Sequence, residues 1–192
     1  MENFIRSYNA PSNVKCTEVI QWFEDNHKHA AEGRISGGVN KKIKESLDIS
    51  ISLKNGSQIP CMVNLLNFLW DGVKKYSEEF PIIKEADFGL IEDFNIQKYT
   101  PPAGGYKSTH FENESLRTCK RFLTWMIYLN TVEDEGETEF VYLGLKEKAV
   151  EGKLLIWPPS FTHAHRGVIS KTEKKYIMTG WYSLIEPEIF ID

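Results

Sequence analysis

The spacing of apolar residues changes character part-way along the chain. Near the N-terminus Cys16, Val19, Ile20, Trp22 and Phe23 recur three and four positions apart, the interval that gathers side chains on one face of an α-helix. Asn13 precedes them as a capping residue, and the helix is predicted to end near His27. A second stripe, Leu65, Leu66, Phe68, Leu69, Val73 and Tyr76, predicts a longer helix across Met62 to Glu79 that Pro81 stops. Between the two, the chain is polar and glycine-rich. Only Leu47, Ile49, Ile51 and Leu53 alternate with polar neighbours there, as a half-buried strand does, and Asn55-Gly56 follows as a turn. Residues 33–57 read either as a mobile lid over a substrate or as an ordinary strand-and-loop excursion.

Beyond Pro81 the period shortens to two. FNIQKY, GYKSTHFE, RFLTWMIYLN, ETEFVYL, KLLIWP and KKYIMTGWYSL are short runs rich in β-branched and aromatic residues, divided by Pro-Pro, Gly-Gly, Glu-Gly and Lys-Glu breaks. Many short strands at such spacing predict a sandwich or barrel. Helices first and strands afterwards is not the alternation of a parallel sheet. GxGxxG, Walker and GxSxG motifs and internal repeats are all missing, so nucleotide-binding and serine-hydrolase readings have no support.

With 192 residues, 41% hydrophobic and 12% aromatic, the chain is predicted to form one domain over 1–192. Its helical support covers about 1–80 and its β-rich core about 85–185. Lys and Arg number 23 against 27 Asp and Glu, a formal charge of −4, and no global basic field points to nucleic acid. Cys16, Cys61 and Cys119 are odd in number and lack CxxC spacing, which argues for a reducing compartment and against a disulfide framework. No apolar run is long enough for a membrane span or a secretion signal, so a soluble cytoplasmic protein without a membrane partner is expected. Composition leaves the oligomeric state open.

The histidines carry the candidate chemistry. His110-Phe111-Glu112 places an imidazole and a carboxylate two residues apart, and on a strand such side chains share a face. With 27 acids among 192 positions, an HxE among five histidines is about an even chance, so the pair by itself decides little. WPPSFTHAHRG supplies a further imidazole at a strand junction, His163 or His165. Two histidines and one carboxylate are the ligand type of non-haem iron(II). In KKYIMTGWYSL, an inward Lys175 would share its face with Ile177, Thr179 and Trp181, leaving Lys174, Tyr176 and Met178 on the other. A lysine inside an apolar barrel is costly unless an anion meets it, whereas one at a strand end reaches water.

The stretch from Asn95 to Tyr182 resembles the iron(II)- and 2-oxoglutarate-dependent dioxygenases, and most nearly their prolyl 4-hydroxylase branch. In that branch an HxD pair is followed by a distant second His, then ten residues on by a Lys, then six on by a Trp. Here His110 and Glu112 stand at the pair, His165 lies ten residues before Lys175, and Trp181 lies six after it. The same register disfavours His163. YTPPAGGYKSTHFE resembles the family's approach to the first His, with Tyr99 and Tyr106 as its aromatics, and RFLTWMIYLN followed by DEGETEF resembles its next strand and turn. The N-terminal FIRSYNAPSNVKCTEVIQWFED resembles the helix that opens many such domains.

The resemblance implies a mainly β, α+β fold: a double-stranded β-helix (jelly roll, cupin-like) with the N-terminal helices packed on one sheet. It implies iron(II) on His110, Glu112 and His165, and 2-oxoglutarate bound by Lys175 with Tyr128, Tyr99 and Thr179 nearby. Dioxygen would be the oxidant, with ascorbate as reductant. Trp181, Tyr106, Arg166 and His163 would be neighbours of the metal or the substrate, and Lys107 could also meet an acidic substrate. The implied reaction decarboxylates 2-oxoglutarate to succinate and hydroxylates a C–H bond, most nearly that of a prolyl residue in a peptide or protein. Glu112 replaces the family's usual Asp, and a carboxylate there points to hydroxylation rather than halogenation. A hydroxylase of a free amino acid or other small molecule is the alternative substrate reading. From other classes come a zinc site that activates water and a non-catalytic metal-binding jelly-roll module.

Overall fold

The computed structural model describes residues 2–186. The chain begins with a strand, β1 (Arg6–Asn9), before the first helix, α1 (Cys16–Asp25). Asn13 does not cap that helix: Lys15 holds the cap position without a side-chain bond, and the Asn13 carbonyl instead accepts a hydrogen bond from Asn64. The reason is local, since Pro11 starts a turn that closes on the Val14 N–H.

Short pairings follow in β2 (Ala31–Glu32), β3 (Arg34–Ile35), β4 (Gly38–Val39) and β5 (Lys44–Glu45), then β6 (Leu47–Ile51). The alternation in β6 buries Ile49 and Ile51, but Leu53 does not continue it. Ser52 accepts the Asn55 N–H and caps a four-residue helical turn, α2 (Leu53–Gly56), so Asn55-Gly56 lies inside that turn rather than in a hairpin. The long helix α3 (Pro60–Glu79) starts with Pro60, whose missing N–H has no helical partner to lose there, and ends before Pro81.

The β-rich half contains β7 (Phe88–Gly89), β8 (Phe94–Tyr99), β9 (Gly105–Tyr106), β10 (Arg121–Tyr128), β11 (Thr138–Phe140), β12 (Leu145–Glu147), β13 (Lys153–Trp157), β14 (His165–Gly167) and β15 (Lys175–Leu184). Eight strands form one antiparallel sheet in the order β1-β13-β10-β15-β8-β6-β2, with β7 also on β15. A second sheet, β12-β11-β14, has three strands. Together they make the double-stranded β-helix, a sandwich that needs no crossover helices.

The central strands of the large sheet, β8, β10, β13 and β15, serve two cores. On one face Trp125, Ile127, Leu154, Ile156 and Met178 pack against Val19 and Phe23 of α1 and Leu65, Leu69 and Val73 of α3. On the other, Met126, Tyr128, Leu155, Trp157 and Ile177 pack with Phe140 of the small sheet. Gly72 lets α3 approach β13, because a Cβ there would lie 2.4 Å from Leu154 Cδ2. Among the described residues no helix is long and apolar enough to cross a membrane.

Candidate active site

His110, Glu112 and His165 converge between the sheets, with one ligand atom from each within 4.8 Å of the others. His110 and His165 exchange backbone hydrogen bonds, His110 N–H to His165 O at 3.0 Å and His165 N–H to His110 O at 2.9 Å, as an isolated antiparallel bridge. This differs from the predicted strand. GYKSTHFE is extended only at β9 and at that bridge, and Glu112 lies in a turn. Its N–H donates to Pro159 O at 2.9 Å, so the turn, rather than a shared strand face, brings the carboxylate back to the imidazoles.

Backbone carbonyls set the histidine tautomers. His110 Nδ1 lies 3.0 Å from Ser108 O, and His165 Nδ1 lies 2.9 Å from His163 O. A carbonyl only accepts, so each Nδ1 carries the proton and each neutral ring presents its Nε2 lone pair. Both Nε2 atoms face Glu112 Oε1, at 3.4 Å from His110 and 3.3 Å from His165. Three electron-pair donors so placed require a shared proton or a cation between them, and this set fits a divalent metal with positions left open. When protons rather than a metal lie between these atoms, burial pushes the Glu112 carboxyl up, but hydrogen bonds and charge from the protonated His110 and His165 outweigh it and hold the group well below the usual carboxylate range. Burial lowers His165 and favours its neutral, ligating form.

Aromatic rings fix these groups in place. Tyr106 stacks on His110 with centroids 3.5 Å apart, and Trp157 meets His165 edge-on at 5.2 Å. Trp181 Nε1 donates to Glu112 Oε2 at 2.9 Å. Thr124 Oγ1 and Trp157 Nε1, from inward positions of β10 and β13, are buried without a hydrogen-bond partner among the described residues. The interior therefore still has donors to offer a polar ligand.

Lys175 is buried on the same side of the sheet, opposite Tyr99 in register, and its ammonium lies 5.2 Å from the Tyr99 ring centroid. Its hydrogen bond goes to the Gly136 carbonyl at 2.9 Å, and burial pulls its pKa down to about 8. A Cβ on Gly167, two residues beyond His165, would lie 3.6 Å from Lys175 Nζ. The lysine and the His-Glu-His cluster are thus joined by one short strand.

The remaining predicted residues are distributed unevenly. Tyr128 is fully buried, with its hydroxyl 2.7 Å from Thr138 Oγ1 and 3.1 Å from Glu147 O, and burial raises its pKa. Tyr99 donates to Gln97 Oε1 at 2.6 Å. Thr179 is turned to its own sheet, donating to Trp125 O at 2.8 Å. His163 stands apart from the cluster, its Nε2 2.7 Å from Asn3 O and its Nδ1 2.9 Å from Thr162 Oγ1. Arg166 is half-exposed and paired with Glu139 at 2.7 Å, and Lys107 pairs with Glu45 at 2.9 Å. The 33–57 segment borders the site: β5 pairs with β9 beside Tyr106, and Ser36 donates to Glu114 at 2.6 Å.

Two further side chains beside Glu112 have no sequence motif, Arg121 and Glu92. Arg121 Nη1 donates to the Glu112 carbonyl at 3.0 Å, and Glu92 grips the rest of its guanidinium, with Nη2 to Oε2 at 2.7 Å. The only signal was an arginine at the head of an otherwise apolar strand run, which a solvated strand end explains equally well.

The sequence pattern of the 2OG-Fe(II) oxygenase superfamily matches residues 94–183. A putative prolyl 4-hydroxylase of Acanthamoeba polyphaga mimivirus is 24% identical over 187 residues, covering 88% of this chain and 69% of that protein. Among solved structures, a Trichoplax adhaerens prolyl hydroxylase in complex with a hypoxia inducible factor peptide fragment superposes with a TM-score of 0.71 at 17% identity, covering 94% of this chain and 84% of that one. A Pseudomonas putida prolyl-4-hydroxylase does so at 0.69 and 14%, covering 96% and 94%. A viral collagen prolyl hydroxylase from Paramecium Bursaria Chlorella virus-1, solved with 2OG, gives 0.65 and 17%, covering 95% and 97%. Over residues 94–183 the chain is thus similar to the 2OG-Fe(II) oxygenase superfamily, and over most of its length it is similar to prolyl 4-hydroxylases.

Proposed function

We propose that this protein is an iron(II)- and 2-oxoglutarate-dependent hydroxylase of prolyl residues in a peptide or protein. The observation that carries the reading is the pairing of two features in one interior. A His-Glu-His cluster presents its Nε2 lone pairs inward, and a buried lysine nearby has a carbonyl as its hydrogen-bond partner. His110, Glu112 and His165 hold the iron, and iron(II) supplies dioxygen activation when bound. Lys175 binds the distal carboxylate of 2-oxoglutarate through a charge-assisted hydrogen bond, exchanging the Gly136 carbonyl for a stronger acceptor. Tyr99 lies beneath that ammonium, and Tyr128 with Thr138 forms the polar wall further along the sheet. Phe140 and Trp157 keep water from the His165 side. The net conversion takes dioxygen, 2-oxoglutarate and a C–H bond to succinate, carbon dioxide and C–OH.

The prolyl substrate rests on likeness to the three solved prolyl hydroxylases, one holding a peptide fragment. A reducing, cytoplasmic setting fits three cysteines that are all free. Incubation with iron(II), ascorbate and 2-oxoglutarate against proline-rich peptides and free amino acids tests the whole reading. Succinate together with a one-oxygen mass gain on a prolyl peptide is the expected result. The same gain on a free amino acid alone would replace the substrate, and no succinate under any condition would overturn the class of reaction.

A further inference from the structure

Glutamate at position 112 poses a mechanical problem. Its extra methylene adds a torsion, so the carboxylate needs more restraint than an aspartate to offer one oxygen steadily to a metal. The structure supplies that restraint from Trp181 together with two residues that no motif marks, Arg121 and Glu92. Glu112 Oε2 accepts Trp181 Nε1–H at 2.9 Å and is approached by Arg121 Nη1 at 3.5 Å, while the same Nη1 donates to the Glu112 carbonyl at 3.0 Å. Arg121 itself cannot swing. Its Nε lies 3.1 Å from both oxygens of Glu92, its Nη2 donates to Glu92 Oε2 at 2.7 Å, and its guanidinium carbon lies 3.4 Å from the Trp181 ring centroid. Glu92 also accepts Ser183 Oγ–H at 2.8 Å. Trp181 and Ser183 are alternate residues of β15, and Arg121 opens β10 directly opposite Ser183. The clamp is therefore built on the register of two central strands.

The geometry points to Trp181, Arg121 and Glu92 as positioning residues that occupy Glu112 Oε2 and leave Oε1 alone to face the metal. This inference rests on the metal reading above. The clamp is sized for glutamate: an aspartate on the same turn would withdraw the carboxylate either from the indole and guanidinium or from the imidazoles. Restoring the family's shorter residue should harm this site rather than improve it.

The test uses the full chain and metals that do not turn over, with manganese(II) affinity read by electron paramagnetic resonance and cobalt(II) coordination by visible absorption. Trp181→Phe keeps a ring for Arg121 to stack on but removes the donor to Oε2. It is expected to weaken manganese(II) binding about 10-fold or more and to shift the cobalt(II) spectrum towards higher coordination as both oxygens become available. Arg121→Lys, which keeps the charge opposite Glu92 but loses the fork, is expected to change both readouts in the same direction. Glu112→Asp is expected to bind manganese(II) more weakly than wild type. Metal-free melting curves identify any variant that fails to fold, and the others then decide. Folded Trp181→Phe and Arg121→Lys proteins with wild-type affinity and spectra, or a Glu112→Asp protein that binds as tightly as wild type, would overturn the clamp alone. A wild-type protein that takes up neither metal would overturn the metal reading and the clamp with it.

Discussion

The two faces of the large sheet contrast sharply although they share every strand. The face under α1 and α3 is built from Ile96, Trp125, Ile127, Leu154, Ile156 and Met178, which transfer apolar surface from water and stabilise the fold. Its chief polar group, the Tyr176 hydroxyl, is tied to Glu24 at 2.5 Å. The opposite face carries Lys175, Thr124 and Trp181 and encloses Glu112 and His165, groups whose desolvation opposes folding. One residue's step along β15 moves a side chain from the stabilising face to the chemical one. The contrast shows that the helices underwrite a face that by itself would be poorly stable.

The most severe break of this contrast is His165→Ala, which removes an inward Nε2. Metal uptake and succinate formation are expected to disappear, as followed by manganese(II) titration and the coupled assay. His163→Ala, two residues away but bonded to Asn3 and Thr162, is expected to keep both and to lose only about 1–3 kcal/mol of stability. Next comes Lys175→Met. Breaking a buried ion pair costs about 3–5 kcal/mol, so 2-oxoglutarate affinity by calorimetry is expected to fall a hundredfold or more. Without co-substrate the same variant should melt at a higher temperature than wild type, because a desolvated ammonium has been removed.

Met178→Ala, on the helix face, should show the reverse pattern: about 2–5 kcal/mol lost in denaturant unfolding, with turnover per folded molecule unchanged. A pH series sharpens the Lys175 case. Its pKa is about 8 when folded against an ordinary 10.5, so between those values the unfolded chain binds more protons and stability rises with pH. The burial penalty is full below about pH 8 and vanishes above about 10.5, so the melting advantage of Lys175→Met should shrink across that window. Over the same rise, 2-oxoglutarate binding to wild type should weaken as the ammonium loses its proton. Smallest is Tyr176→Phe, expected to cost about 1 kcal/mol with no change in turnover. A large loss of activity there would dissolve the distinction between the faces.

Several elements were legible because their cause is local. Three- and four-residue spacing located α1 and α3, and alternation in KKYIMTGWYSL separated Lys175 and Ile177 from Tyr176 and Met178. Where a second local motif or a distant partner competed, the periodicity failed. Asn13 lost its capping role to a turn begun by Pro11, and Leu53 left the strand because Ser52 caps a new helical turn. The stretch around His110 gave up strand geometry because its backbone partners are single groups on two separate segments, His165 and Pro159.

The sequence by itself determined the periodicities, and therefore which residues face inward together, because side-chain direction follows from backbone geometry within a few residues. Its histidine, lysine and tryptophan spacings also carried the family resemblance. The spacing to Lys175 already favoured His165 over His163; only the tertiary structure decided which imidazole nitrogen is free and that Arg121 and Glu92 brace the carboxylate. Those outcomes depend on hydrogen bonds between residues distant in the chain, and no local pattern specifies which distant carbonyl or carboxylate will arrive within reach.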